Sequence, residues 1–453
     1  MKHRMWIAGA LLALLWTTPA LADNRFIVRS TLGSNALGQF CLLQGCSVVG
    51  ALDGTLNQVF LLTTPSAIDP TIFLSVLQNT PGILDVELDQ LISLVGGLNT
   101  VTTPPPGLTD NAPVNLFGTK VWNGYANQPA SAIVHVRDAQ NTFDVVGKGI
   151  VADIDTGVDP GHPALINVLL PGYDFTRNQV GGSEMTDFAS PPPPPCPNCQ
   201  PAIVNQSSAA ILDQSSAAIL DGNLQYAAFG HGTMVMGVIH LVAPKAQLLP
   251  LKAFHSDGTG FLSDILRAIY YAVQNNASVI NMSFDTATNS AELKNALDYA
   301  NQLSVVCVAS AGNDGTPAPP NFVYPAALQI DVMGVASTSD LDTRSTFSNY
   351  GNPIVWLAAP GEAIITTYPF STYAAGWGTS FSAPFVSGGV ALMQSLRPDI
   401  NESSAASALA HAQFVGPDMG NGRLDLLAAL AALPPENGSK NSSQAAVLPP
   451  LLP

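Results

Sequence analysis

Apolar residues along this chain follow two periods. Short unbroken runs rich in Val, Ile and Leu read as strands buried on both faces: "GKGIVADID", "AQLLPLKAF", "ASVINMSF", "LSVVCVASA" and "QIDVMGVAS". Between them, apolar residues three and four apart read as helices. In "SDILRAIYYAVQNNA", Ile265, Ile269 and Ala272 share one face and Ser263 is placed to cap the N-terminus. In "SAELKNALDYANQL", Leu293, Leu297 and Ala300 do the same. This alternation predicts an α/β fold over residues 112–433, a mostly parallel sheet flanked by helices. Upstream, "RFIVRS", "QVFLLTT" and "LDQLISLV" read as strands, with a short helix after "DPTIFL", giving a small α+β module over 23–98. The Gly, Pro and Thr content of "GGLNTVTTPPPGLTDNAP" marks a linker at 99–111. Residues 178–228 interrupt the pattern with "PPPPPCPNC" and an octamer written twice, "QSSAAILDQSSAAILD". Two copies are too few for a repeat architecture, so the segment reads as a surface insertion. Residues 434–453 form a low-complexity tail.

Composition narrows the function classes. The chain has 453 residues, 47% of them hydrophobic, enough for a sizeable core. With 32 Asp and Glu against 16 Lys and Arg the formal charge is −16, which argues against a nucleic-acid partner. The N-terminus carries Lys2 and Arg4, then "MWIAGALLALLW", then the small-residue site Ala20–Ala22. That order predicts a cleaved export signal over 1–22, with no stable membrane anchor and a secreted mature chain beginning near Asp23. Export permits disulfides: Cys41 with Cys46, and Cys196 with Cys199, are each placed to form a local staple, while Cys307 in an apolar run reads as a buried thiol.

Three stretches carry candidate chemistry. In "VADIDTGVDPGHPAL", Asp155 ends an apolar strand, where a carboxylate can accept from an imidazole N–H or serve as a turn residue. In "FGHGTMVMGVIH", His231 stands between two glycines at the start of an apolar helical run. In "AAGWGTSFSAPFVSGGVALM", Ser380 opens a run containing Ser382, Ala383, Gly388 and Gly389. A serine there meets the unpaired N–H groups of a helix N-terminus, and the small residues suit close packing. Singly, each stretch is also compatible with a structural role.

Together, in the order Asp155, His231, Ser380, they resemble the subtilisin-like serine proteases, or subtilases. The resemblance rests on "DTG", "HGT" and "GTSFSAP", supported by "SVINMSF", "ASAGNDG", "STFSNYG" and "LAAPG", and spans about 147 to 396. It implies a serine endopeptidase with Ser380 as nucleophile, His231 as general base and acid, and Asp155 orienting the imidazole. It implies an oxyanion-hole amide at Asn313, and substrate-binding residues at Gly258, Gly260, Ser283, Ala311 and Gly312. Asp285 departs from the family, which has a glycine lining the primary specificity pocket there; basic or small substrate side chains are the expectation. Asp153 shares a strand face with Asp155, so it is expected to be paired or protonated, or to tune its neighbour. Asp174 and Asp187 are candidate calcium ligands, although no EF-hand spacing supports a site, and the chemistry requires no cofactor. His135, His162, His240, His255 and His411 match no catalytic motif.

The 23–98 module resembles the propeptide of secreted subtilases, which implies an intramolecular inhibitor and an autoprocessing cut near the linker. The expected protein is thus a monomeric secreted preproenzyme acting on polypeptides through an acyl-enzyme. The alternative is a catalytically restricted or inactive subtilase fold used as a binding scaffold.

Overall fold

The computed structural model describes residues 23–94, 104–187, 202–205, 210–212 and 226–433. The export signal, the Cys196–Cys199 pair, most of the insertion, much of the linker and the tail lie outside these residues. The described chain forms two compact units, one of 23–51 with 55–89 and one of 52–54 with 90–433.

The smaller unit contains β1 (Asn24–Ser30), α1 (Gly33–Gln44), β2 (Ser47–Ala51), β3 (Val59–Thr64), α2 (Pro70–Gln78) and β4 (Ile83–Leu88). Its strands form an antiparallel sheet in the order β2-β3-β1-β4. Phe26, Val28, Phe60 and Leu62 on the sheet meet Leu37 of α1 and Phe73 and Leu77 of α2. α2 begins where Asp69 accepts from the N–H groups of Thr71 and Ile72, with Pro70 at a position whose N–H would be unpaired anyway. The sequence pattern missed α1, because only Leu37 and Cys41 of its twelve residues are buried. Gly45, at φ +77°, ends that helix, and the Cys41–Cys46 disulfide closes the same turn.

One expected member is absent from the smaller unit. β5 (Leu91–Ser93), the heart of "LDQLISLV", belongs to the larger unit and pairs antiparallel with Thr259–Phe261. The strand period was correct, but a period does not name the partner, here more than 160 residues away in sequence.

The larger unit is built on an eight-stranded sheet. Its main strands are β6 (Ile150–Asp155), β7 (Tyr173–Asp174), β8 (Gln179–Val180), β9 (Gln247–Lys252), β11 (Val279–Met282), β12 (Val306–Ser310), β13 (Met333–Thr338) and β14 (Leu357–Pro360); β10 is Thr259–Phe261, in the ladder with β5. The spatial order is β8-β7-β9-β6-β11-β12-β13-β14, and every pairing is parallel except β8 with β7. All five predicted apolar runs are strands of this sheet. Helices α3 (His231–Val242), α4 (Leu262–Gln274), α5 (Ala291–Gln302) and α6 (Thr379–Leu396) accompany it. Ser290 caps α5 by accepting from Leu293 N–H. Ser263 does not play that part for α4: the chain passes from β10 into the helix through extended Phe261, which puts Ser263 inside the first turn, fully buried.

α3 and α6 are the buried helices. All twelve residues of α3 are buried, as are sixteen of the eighteen in α6. A Cβ on Gly388 would come within 2.6 Å of Val242 Cβ, so the small residues of "SGGVAL" permit close helix contact. Gly237 is tighter still, since a Cβ would stand 2.2 Å from Oγ1 of both Thr366 and Thr367. Those hydroxyls donate to the α3 carbonyls of Met234 and Thr233. Behind β12, the Cys307 thiol is free and buried, and its backbone N–H donates to Glu402. No described helix is long and apolar enough to cross a membrane.

Gly237→Ala is expected to destabilise the protein by about 1–3 kcal/mol through overpacking, read as a lowered denaturant midpoint with an unchanged slope.

Candidate active site

β6 is the point at which the sheet changes direction. β9 lies on one side of it and β11 on the other. At such a switch point the loops leaving the strand ends diverge and open a crevice. Asp155 is the last residue of β6, Ser283 follows β11, and Asn313 follows β12 three residues after its end. Three of the expected site residues thus issue from adjacent strands at one edge.

His231 comes from the opposite direction, as the first residue of α3. Gly230 turns the chain at φ +89°, which a side chain would disfavour. Gly232 lets the helix start abut the strand end: a Cβ there would stand 2.0 Å from the Gly157 carbonyl oxygen. His231 Nδ1 consequently lies 2.6 Å from both carboxylate oxygens of Asp155. A carboxylate has only lone pairs to offer, so Nδ1 carries a proton and donates, with Nε2 at the far side of the ring. Nε2 is buried without a hydrogen-bond partner. Asp155 Oδ1 also accepts the N–H of Thr156 at 2.6 Å, which fixes the carboxylate from its own backbone. The imidazole centroid is 6.1 Å from the ring of Phe381, next to Ser380.

Ser380 occupies the first turn of α6 and is 6% exposed. Its hydroxyl donates to the Ser283 carbonyl at 3.2 Å, so the third link of the expected file is not formed in this rotamer. A serine hydroxyl swings on a single torsion and takes whichever acceptor lies in reach. Pro384 has a local purpose. Lacking an N–H, it leaves the carbonyl of Ser380, four residues earlier, without its helical donor. Ser283 Oγ supplies the replacement at 2.9 Å. Asn281 Nδ2 donates to Ser283 Oγ at 3.0 Å and, across the β6–β11 register, to Asp153 Oδ1 at 2.9 Å. Ser387 Oγ donates to Asn281 Oδ1, closing the network back onto α6. Ser382 and Ala383 are fully buried, as packing residues should be.

Asn313 Oδ1 accepts from both the N–H and the hydroxyl of Thr379. That anchors the amide beside the N-terminus of α6 and leaves its NH2 end as the available donor. Gly312, at φ +90°, has its carbonyl held by Asn349 N–H, and Ala311 N–H donates to Val335. Gly258 accepts from Leu94 N–H at 2.8 Å, and Gly260 is the register partner of Ile92. The site contacts of these two glycines are therefore to β5, not to the His–Asp pair.

Both unusual acids are accounted for. Burial, then the charge of Asp155, pushes the Asp153 carboxyl well above the usual range, and Asn281 pairs its Oδ1. Asp285 lies beside Gly312: Oδ2 is 3.3 Å from where a Gly312 Cβ would be. Desolvation and then the nearby Asp314 push Asp285 up to about 7.

The two calcium candidates are already engaged. Asp174 takes Arg177, and Asp187 takes both Arg177 and Lys252. Among the described residues no group of three or more His, Cys, Asp and Glu is arranged to hold a metal ion.

Sequence reasoning missed Glu184 and Lys252. Lys252 is fully buried at the end of β9, directly beside Asp155 in register, and donates to the carbonyls of Thr156 and Phe254. A lysine inside "LLPLKAF" was its signal. Glu184 fell within the expected surface insertion, yet it is 0% exposed. The start of that segment belongs to the core instead, because Val158 N–H donates to Gly182 and Glu184 N–H donates to Val158.

Comparison with known proteins agrees with this geometry. Residues 147–442 match the Subtilase family. The chain is 33% identical over 263 residues to thermitase of Thermoactinomyces vulgaris, a match covering 57% of this chain and 79% of thermitase. It is 36% identical over 190 residues to subtilisin DY of Bacillus licheniformis, covering 40% and 69%. It is 34% identical over 284 residues to the major intracellular serine protease of Bacillus subtilis, covering 60% and 76%. A crystal structure of a lanthipeptide protease shares the fold, with a TM-score of 0.53 at 22% identity over 68% of this chain and 94% of that one. The chain belongs to the subtilase family of serine proteases.

Ser283→Ala is expected to strand the Ser380 carbonyl and cost about 1–3 kcal/mol. Pro384→Ala supplies a helical N–H to the same oxygen, so the double variant should lose less than the two single losses combined. A double-mutant cycle in urea reads that coupling.

Proposed function

We propose that this chain is a secreted serine endopeptidase that works through an acyl-enzyme on Ser380. The observation that carries the reading is the buried Asp155–His231 contact with an unpartnered Nε2 near the α6 N-terminus. Rotation about the Cα–Cβ bond of Ser380 moves Oγ from the Ser283 carbonyl to Nε2. Oγ then attacks the scissile carbonyl while Nε2 takes its proton. Asp155 stabilises the imidazolium, and the Asn313 amide with the Ser380 backbone N–H stabilises the oxyanion. The imidazolium passes its proton to the leaving amine, and water, activated by the same ring, hydrolyses the ester. An extended peptide reaches this centre by strand addition, with Gly258 and Gly260 on one side and Ser283, Ala311 and Gly312 on the other.

The β5–β10 ladder supports that binding mode, since a segment of the chain itself already lies extended along Thr259–Phe261. The same ladder supports a role for the segment before the linker as an intramolecular occupant, with removal by the enzyme's own activity. An N-terminus with the features of an export signal supports secretion. Asp285 supports a preference for a basic side chain before the scissile bond, because its carboxylate adjoins Gly312 and bears no ion pair among the described residues.

A fluorophosphonate probe is expected to label Ser380 and to lose all labelling in Ser380→Ala. In that variant, mass spectrometry of the secreted protein should show the 23–98 module retained. Labelling or module removal that survives the substitution overturns the reading.

Peptides with Lys or Arg before the scissile bond are expected to be cleaved faster than Ala or Leu peptides. The gap should widen as pH rises through about 7, where Asp285 ionises, and should shrink in Asp285→Gly. Matched kcat/KM values across pH give the comparison.

A further inference from the structure

The buried Glu184 carboxylate sits between the two backbone ends that carry Asp155 and His231. Oε2 accepts the N–H of Gly230 at 2.7 Å and the hydroxyl of Thr156 at 3.1 Å. Oε1 accepts the hydroxyl of Thr233. Gly230 and Thr233 flank His231 at the start of α3, and Thr156 follows Asp155 at the end of β6. Each hydroxyl is used twice. Thr156 Oγ1 also accepts the N–H of Gly232 at 3.0 Å, and Thr233 Oγ1 accepts the N–H of Asp159 at 2.7 Å. One side chain thus ties strand end to helix start through three donors.

We propose that Glu184 is a positioning residue for proteolysis, whose ionised carboxylate sets the register between Asp155 and His231. This rests on the reading of those residues as parts of the catalytic centre. All three partners present hydrogens to Glu184, so the carboxylate satisfies them with lone pairs alone. A protonated Glu184 must donate its own hydrogen, and the Gly230 N–H cannot receive it. Protonation therefore forces one of the two threonine hydroxyls, Thr156 or Thr233, to turn from donor to acceptor. The charge also complements the N-terminus of a twelve-residue helix.

The titratable groups that face Glu184 are Lys252 on β9, Asp153 and Asp155 on β6, and Tyr368. Burial, opposed by the hydrogen bonds and by Lys252, leaves the Glu184 carboxyl pushed up to about 8. Its folded pKa is raised, so the proton stays on through neutrality and leaves as pH rises through about 8. The clamp is therefore complete on the alkaline side.

The test compares wild type, Glu184→Gln and Glu184→Ala on one peptide substrate, with rates normalised to sites titrated by prolonged fluorophosphonate labelling. Glu184→Ala is expected to lower kcat about 10- to 100-fold with KM changed by less than about 3-fold, as a small misplacement of the reacting groups would. Glu184→Gln keeps one acceptor oxygen and no titratable proton. Its kcat should lie between the other two, and the acid limb of kcat/KM should fall with one ionisation where wild type falls with two. An active wild type whose kcat and pH profile are unchanged in both variants overturns the role of Glu184 and leaves the protease reading intact. If Glu184→Ala does not fold, an unchanged profile in Glu184→Gln alone overturns it. An inactive wild type with unlabelled Ser380 defeats the underlying reading instead.

Discussion

The contact on which the site depends is the one between Asp155 and His231, and it is first a problem of backbone placement. A strand and a helix must meet end to end with 2.6 Å between a carboxylate and a ring nitrogen. Bare backbone at Gly232 allows the approach, and the Thr366 and Thr367 hydroxyls hold the helix carbonyls from the other side. Buried polar groups then fix the register, since a donor with an unmet acceptor in such a place costs more than a net hydrogen bond returns. The Asp155–His231 pair is accordingly surrounded by a polar interior, with Lys252, Thr156, Asn281, Asp153 and Ser387 all buried.

The second constraint acts on α6. A proline inside a helix usually signals a break, and here it frees one carbonyl for a donor just past β11, Ser283. The link joins the segment bearing Ser380 to the end of the strand beside that of Asp155. The asparagine in that network reaches Asp153 and Ser387 with opposite ends of one amide. Three elements are thereby referred to a single side chain, which is a stiffer arrangement than three separate pairwise contacts.

Much of this was legible in the sequence, for reasons of chemistry and period. Apolar runs on a two-sided buried strand cannot hide, and all five became strands of the sheet. Asp155, His231 and Asn313 are recognisable because they stand in short motifs that resemble those of the family. What stayed hidden depends on distance through space. "LDQLISLV" announced a strand but not its partner, and α1 buries too little to show a helical stripe. Ser263 looked like a cap because a sequence does not display where the preceding strand stops. Glu184 was hidden by its neighbours: it stands between glycines and a proline-rich run, and only folding brings it against Thr156 and Gly230. The Ser380 hydroxyl is a different case, since its direction is a rotamer and no sequence specifies one.

The unpaired thiol at Cys307 has its own consequence. It is sealed behind the sheet, and burial pushes its ionisation well up, so the nucleophilic thiolate is scarcely formed in the native molecule. Thiol–disulfide exchange through this residue is thereby confined to chains that have not yet folded or have come apart. In an oxidising compartment the native state protects itself from scrambling, and any covalent cross-link through Cys307 marks a chain whose fold was open when it formed.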